Sequence, residues 1–275
     1  MCVDYRDFSP YENKQIEAIK EWKSQEPGVL NKAVSTVLSP LTWLVQKVVP
    51  ESAIKGALNL GNILARKLAD IGDIKKSAGV AEINELKTKD LEQSDKLANS
   101  VHVKAVLIAS GEGAGAGFFG LPGMAVDIPA IITLSLRTIH KIGMCYGYEV
   151  KDENDQNFIY GILSAAGANT IPEKVAALTY LRSIEVAIAK QTWKVIAEKA
   201  AVEQFSKEAG IMLIKNLAKQ IGVNITKRKA LAAIPVVGAA VGGSVNGWYI
   251  NDIAWSARRA FQERWLMDNG KIIEI

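Results

Sequence analysis

Asp127 is a single carboxylate set between two apolar blocks, and Arg137 and His140 follow it ten and thirteen residues later. An ionised carboxylate in apolar surroundings needs a partner, because burying it alone costs several kcal/mol. Two roles meet that need. The Asp-x-Pro arrangement with Pro129 suits a helix cap, and a functional ion pair or ligand contact is the alternative. A second polar set, Asn246, Asp252 and Arg259, stands near the other end of the chain. If the fold gathers Asp127, His140, Asn246 and Asp252 around one concavity, they form a hydrolase-like pocket, with Asp127, His140 and Asp252 as the catalytic candidates.

Other chemistry is poorly served. His102 and His140 are the only histidines, and neither belongs to HExxH or to a His/Cys arrangement with ligand spacing, so no metal is expected. Cys2 and Cys145 cannot build a disulfide framework, and a packed apolar thiol is the expected role of Cys145. No Gly-x-Ser-x-Gly elbow occurs. Gly115-Ala116-Gly117-Phe118-Phe119-Gly120 matches GxGxxG, but Pro122-Gly123 would interrupt the helix whose amide end must face a pyrophosphate. No cofactor is therefore expected. With 33 basic and 29 acidic residues the charge is too balanced to suggest nucleic acid.

The stronger signal is apolar. From Ala230 to Asn251 no charge occurs, Lys227-Arg228-Lys229 precede the run and Asp252 ends it. Gly113 to Leu136 carries one charge, Asp127. Gly113 and Gly117, Gly238 and Gly242, and Gly243 and Gly247 are each four apart, which aligns small residues on one helix stripe where backbones can approach closely. Glycine costs roughly 1 kcal/mol per interior helical position, so a packing partner, protein or lipid, must compensate. Lys227, Arg228 and Lys229 are placed to meet anionic headgroups, or simply to solvate a helix start. Trp248, Tyr249, Trp255 and Trp265 suit either headgroup depth or a protein core.

The elements that must position these groups are helical. Ser9-Pro10-Tyr11-Glu12 is a capping box that opens a first helix, stopped by Pro27-Gly28. Val29 to Val49 has a second amphipathic pattern bent at Pro40, and Pro50-Glu51 opens a third helix carrying Ile54, Leu58, Leu64, Leu68 and Ile71. Gly72 to Lys89 has a weaker pattern, as for a connection with one short helix. Helices are expected over Asp90 to Ser110 and Met124 to Tyr148, then after Asn154 as a cap and from Pro172-Glu173. A final pair runs through the uncharged stretch and from Trp248 to Met267. No stretch alternates with period two, so the architecture is all-α. The first 28 residues form an N-terminal helix and residues 29–275 one helical bundle domain around two central Gly/Ala-rich segments.

Several ordered motifs resemble those of the EcsC family of bacterial proteins: Leu121-Pro122-Gly123 with Asp127-Ile128-Pro129 and Arg137, and Cys145-Tyr146-Gly147-Tyr148. Thr226-Lys227-Arg228-Lys229 with Ala233-Ile234-Pro235 and Gly238 follow, then Asn246-Gly247-Trp248-Tyr249 with Asp252 and Ala257-Arg258-Arg259-Ala260. The similarity spans Val29 to Leu266. The family takes its name from a protein encoded beside the subunits of an ABC exporter, and the resemblance brings no assigned activity and no catalytic residue. It does imply that Asp127, Arg137, Asn246, Asp252 and Arg259 form one polar cluster.

The mean hydropathy of +0.09 lies above that of an ordinary soluble protein and below that of a multi-span transporter. No secretory signal opens the chain, so a cytoplasmic start is expected. The expected function is peripheral association with the cytoplasmic face of the inner membrane. There Lys227 to Lys229 and the apolar segments would bind anionic lipid or a membrane-protein partner, with a homo-oligomer open as well. A soluble enzyme and a membrane-permeabilising effector are the competing expectations.

Overall fold

The computed structural model describes residues 8–27, 51–69, 71–111, 124–193, 210–224 and 235–272. Among these no strand occurs. The helices are α1 (Pro10–Ser24), α2 (Glu51–Leu68), α3 (Ile71–Ala78), α4 (Leu91–Ala109), α5 (Met124–Cys145), α6 (Glu153–Gly167), α7 (Ile171–Trp193), α8 (210–224) and α9 (Pro235–Asp268), with a 3₁₀ turn over Ile83–Thr88. The fold is all-α, as the spacing of apolar residues predicts. The expected helix over Val29 to Val49 lies outside the described residues.

Local chemistry starts these helices. Ser9 Oγ accepts from the Glu12 amide at 3.1 Å, and the Glu12 carboxylate accepts from the Ser9 amide at 2.7 Å, so the capping box forms with Pro10 at the first helical position. Asp90 caps α4 by accepting from the amides of Glu92 and Gln93 at 2.7 and 3.2 Å. For α6 the cap is Asp152, which accepts from the Asp155 amide at 2.9 Å, rather than Asn154, which already lies in the first turn. Asp127 is not a cap either. Helix α5 begins at Met124, three residues earlier, so Asp127 and Pro129 both sit inside it.

The largest difference from expectation is α9. A pair of helices meeting near Trp248 is replaced by one helix of 34 residues, about 51 Å long at 1.5 Å per residue. It lies at the centre and touches α1, α4, α5 and α6. Its neighbours are held at close range by glycines. A Cβ on Gly143 of α5 would lie 2.6 Å from the Phe261 ring of α9, and one on Gly247 of α9 would collide with the Ser110 side chain at the end of α4. The close approach at Gly247 is therefore made with α4, and the one between α5 and α9 is made at Gly143. Gly113 and Gly117 lie outside the described residues. Gly238, Gly242 and Gly243 lie in the helical part of α9, where side-chain surroundings are outside the description.

The stretch 72–89, with the weakest apolar pattern, packs into the same core. Ile74, Ile83 and Leu86 are buried, and Gly147, at φ +90°, lets the turn after α5 pass against the backbone of Lys87. Around Phe261 the core is aromatic: Tyr146 and Tyr148 stack on its ring at 6.3 and 5.7 Å, and Phe158 meets it edge-on at 5.3 Å.

Candidate functional site

Three polar features lie on or beside α9. The first is buried. Asp95 of α4, 2% exposed, accepts hydrogen bonds from Tyr11 Oη at 2.6 Å, from Tyr146 Oη, and from Gln262 Nε2 at 2.7 and 2.8 Å. Gln15 Oε1 joins the set by accepting from Gln262 Nε2 at 3.2 Å and from Arg259 Nη1 at 2.8 Å. One carboxylate thus ties α1, α4, the turn after α5, and α9 together. Each phenol beside it is held well into the neutral form, first by burial and then by the adjacent carboxylate. These groups satisfy one another, and a satisfied buried network of this kind rigidifies the packing of the helices it joins.

The second feature is a groove of about 190 Å³ between α4 and α5, closed by α3. Ile74, Val101, Ile108 and Leu134 are among its apolar lining residues, with Lys104, Arg137 and Lys141 as cations and Asp73 as the carboxylate. Cys145 lies in this lining and is buried, which pushes its thiol up to about 12, and its Sγ donates to the Lys141 carbonyl at 3.2 Å. It is the packed thiol its sequence context suggests, with almost no thiolate at neutral pH.

The third feature is a more open cleft of about 330 Å³ between α1, the end of α6, the start of α7, and α9. Asp252, Trp255, Ser256 and Arg259 line it together, because positions i, i+3, i+4 and i+7 share one helix face. Lys174 of α7 closes the far side and donates through Nζ to the carbonyls of Trp22 and Gln25 at 2.5 and 2.6 Å, where α1 ends. Burial raises the Asp252 carboxyl to about 6, offset in part by its hydrogen bond with Asn251.

The polar residues singled out in the sequence are thus brought together only in part. Asp252 and Arg259 share the α1–α9 cleft, whereas Arg137 lines the α4–α5 groove. His140 is buried between α5 and α2, its Nε2 at 2.9 Å from Asn62 Oδ1, and it lines neither space. His102 likewise pairs with Asn251 Oδ1 at 2.9 Å and meets the Trp255 ring edge-on. The side chains of Asp127 and Asn246, and all of Lys227, Arg228 and Lys229, lie outside the described residues. Of the aromatic set, Tyr249 and Trp265 are buried and Trp255 is exposed at the cleft. Asp95 and Gln262 belong to no motif, although each carries one signal in the sequence: a polar residue on the apolar stripe of its helix. Leu91, Asp95, Ala98, His102 and Ala105 follow helical spacing and are all buried.

No helix among the described residues is long and apolar enough to cross a membrane, and no group of three or more His, Cys, Asp or Glu among them could hold a metal ion. These features define a helical bundle assembled on one long central helix, with two amphipathic clefts at its surface.

The chain belongs to the EcsC protein family, whose model matches residues 13–266 and so takes in most of α1 as well as α9. It is similar to the uncharacterized protein YdbA of Bacillus subtilis (strain 168), 22% identical over 192 residues that cover 70% of this chain and 65% of that protein. It is also similar to Protein EcsC of the same organism, 22% identical over 178 residues that cover 65% of this chain and 66% of that protein. The matches thus span just under two thirds of each relative's length. No solved structure matches the chain.

Proposed function

We propose that this EcsC family member is a non-enzymatic protein of the membrane surface, which binds anionic lipid or a membrane-protein partner at the end of the bundle where α4 finishes and α9 starts. One observation carries this reading: that end combines charge-free helix with exposed apolar side chains and cations. Asp95 lies beside Gln262, Asn99 beside Arg258, and Gly247 beside Ser110, so α4 and α9 run antiparallel. The uncharged half of α9, Pro235 to Asn251, therefore begins at the end where α4 stops. The last turns of α4 expose Val103 at 49% and Leu107 at 41%, with Lys104 between them at the rim of the groove. Exposed apolar residues beside lysine and arginine favour a surface of acyl chains and anionic headgroups. The 190 Å³ groove, with its apolar lining and three cations, supports the same reading.

Flotation with vesicles tests it. The full chain is expected to float with phosphatidylglycerol or cardiolipin vesicles at low salt and to be released in part by high salt. It is expected not to float with phosphatidylcholine alone. A chain that stays at the bottom of the gradient under every condition overturns the lipid arm of the proposal. Dye release from the same vesicles distinguishes passive binding, which leaves them intact, from permeabilisation.

A further inference from the structure

Two carboxylates meet where α7, α9 and the end of α1 come together, and they are not served alike. Helix α6 sets their level: Gly161 lies against Leu181 of α7, while Asp155 and Phe158 lie against Arg264 and Phe261 of α9. Glu185, one turn beyond Leu181, therefore comes level with Glu263. Both side chains are only 5% exposed. Lys23 of α1 supplies the countercharge to Glu263 at 2.5 Å. The Glu185 carboxyl takes part in no hydrogen bond among the described residues. Arg182 Nη1 stands 3.7 Å from it, beyond hydrogen-bond reach, and donates to Met267 Sδ of α9 at 3.2 Å.

A carboxylate this far from water and beside a second one is costly to ionise. Burial first, and then the charge of Glu263, push the Glu185 carboxyl up to about 8, against the pull of Lys23, Arg182 and Arg264. In the unfolded chain the same group titrates near 4.3, roughly. An opening that lets water reach Glu185 thus releases a proton anywhere between those two values, and rising pH favours it. The advantage of the closed form is full below the lower value and is lost as pH rises through the higher one. Two further charged or titratable groups face the cluster. Asp155 of α6 is held by Arg264 at 3.0 Å, and Tyr148, in the turn after α5, keeps its hydroxyl on Asp268 at 2.8 Å.

We propose that Glu185 is a proton-operated clasp, which in its neutral form lets the C-terminal half of α7 close on α9 and the end of α1, and on ionisation loosens that half. The N-terminal half stays seated, because Ala177 and Leu181 are buried and Lys174 remains tied to the carbonyls of Trp22 and Gln25. Membrane association uses other residues, so the two ideas stand or fall separately.

Amide hydrogen exchange of the full chain, corrected at each pH for the intrinsic rate, tests it. Between pH 6 and pH 8 the protection of residues 182–193 is expected to fall at least tenfold, while that of α4 stays level. In Glu185→Gln, which keeps the shape and cannot ionise, protection over 182–193 is expected to be independent of pH. Glu263→Gln removes the neighbouring charge, and the fall is then expected to level off at a lower pH. A parent chain whose α7 protection is unchanged between pH 6 and pH 8 overturns the proposal without any variant. An equal fall in the parent and in Glu185→Gln, or an unmoved profile in Glu263→Gln, overturns it as well.

Discussion

The two ends of α9 are held by different physics. Toward its C-terminus Gln262 and Arg259 enter a buried hydrogen-bond network with Asp95, Gln15, Tyr11 and Tyr146, and Phe261 packs among aromatic rings. Toward its N-terminus the helix carries no charge for seventeen residues, and Gly247 admits Ser110 where any side chain would collide. A network of buried, directional bonds accepts one register and penalises every other. Contact through small residues is less exclusive, since a backbone approach can be made by a neighbouring helix or covered by lipid. Buried bonds hold one end of α9 and a small-residue contact the other, and the variants below act on the two ends differently.

The largest effect is expected at Asp95. Replacing it with alanine leaves Tyr11, Tyr146 and Gln262 without their shared acceptor, and a loss of about 3–5 kcal/mol is expected, the range for breaking a buried charged network. Urea unfolding would measure it, and a loss below 1 kcal/mol would remove the network from its central place. Gly143→Leu comes next. Its side chain enters space filled by the Phe261 ring, and overpacking of this kind costs about 1–3 kcal/mol, read as a lower midpoint with an unchanged slope.

Asp252→Asn acts in the opposite direction. The carboxyl is raised to about 6 in the folded chain, above the roughly 3.9 of an unfolded aspartate. The folded state therefore holds its proton more tightly, and stability associated with protonation is full below pH 4 and lost as pH rises through 6. At pH 7.5 the asparagine variant is expected to be more stable by about 1–2 kcal/mol, after allowing for partial exposure. At pH 4 it should match the parent, and thermal melts at the two values decide it. The smallest effect on folding is expected from the pair Val103→Glu and Leu107→Glu, because both residues lie at the surface, 49% and 41% exposed. Stability should change by less than about 0.5 kcal/mol, whereas flotation with anionic vesicles should fall several-fold. Undiminished flotation would move the membrane contact away from the end of α4.

Much of the scaffold was legible in residue order. Ser9 with Glu12 and the acid at Asp90 mark helix starts because their caps are local, decided within four residues. The all-α class followed from apolar spacing. Tertiary effects were less visible. Residue order suggests a pair of helices meeting near Trp248, yet the chain runs through as one helix, and the missing side chain at Gly247 serves a neighbour, Ser110. Gly143 carried no motif of its own, and its purpose depends on Phe261, far along the chain. The polar residues stand out in the sequence by their apolar surroundings and motif positions, which say nothing about which face of a helix they occupy. Asp252 and Arg259 meet because seven residues bring them onto one side, whereas Arg137 and His140, three apart on α5, serve a groove and a helix contact respectively. Asp95 stands in a stretch rich in charge, Lys87 to Lys96, and only helical spacing places it with Leu91 and Ala98 on the buried face.

Helix α9 is an uninterrupted ladder from Pro235 to Asp268. A rod of that kind resists bending, so anything that grips its uncharged start and pulls is opposed at the far end by Gln262 and Arg259, whose bonds must shift or break together. Between the two tips the helix also leans on α4, α5, α6 and α1, and the α1–α9 cleft lies along the same rod.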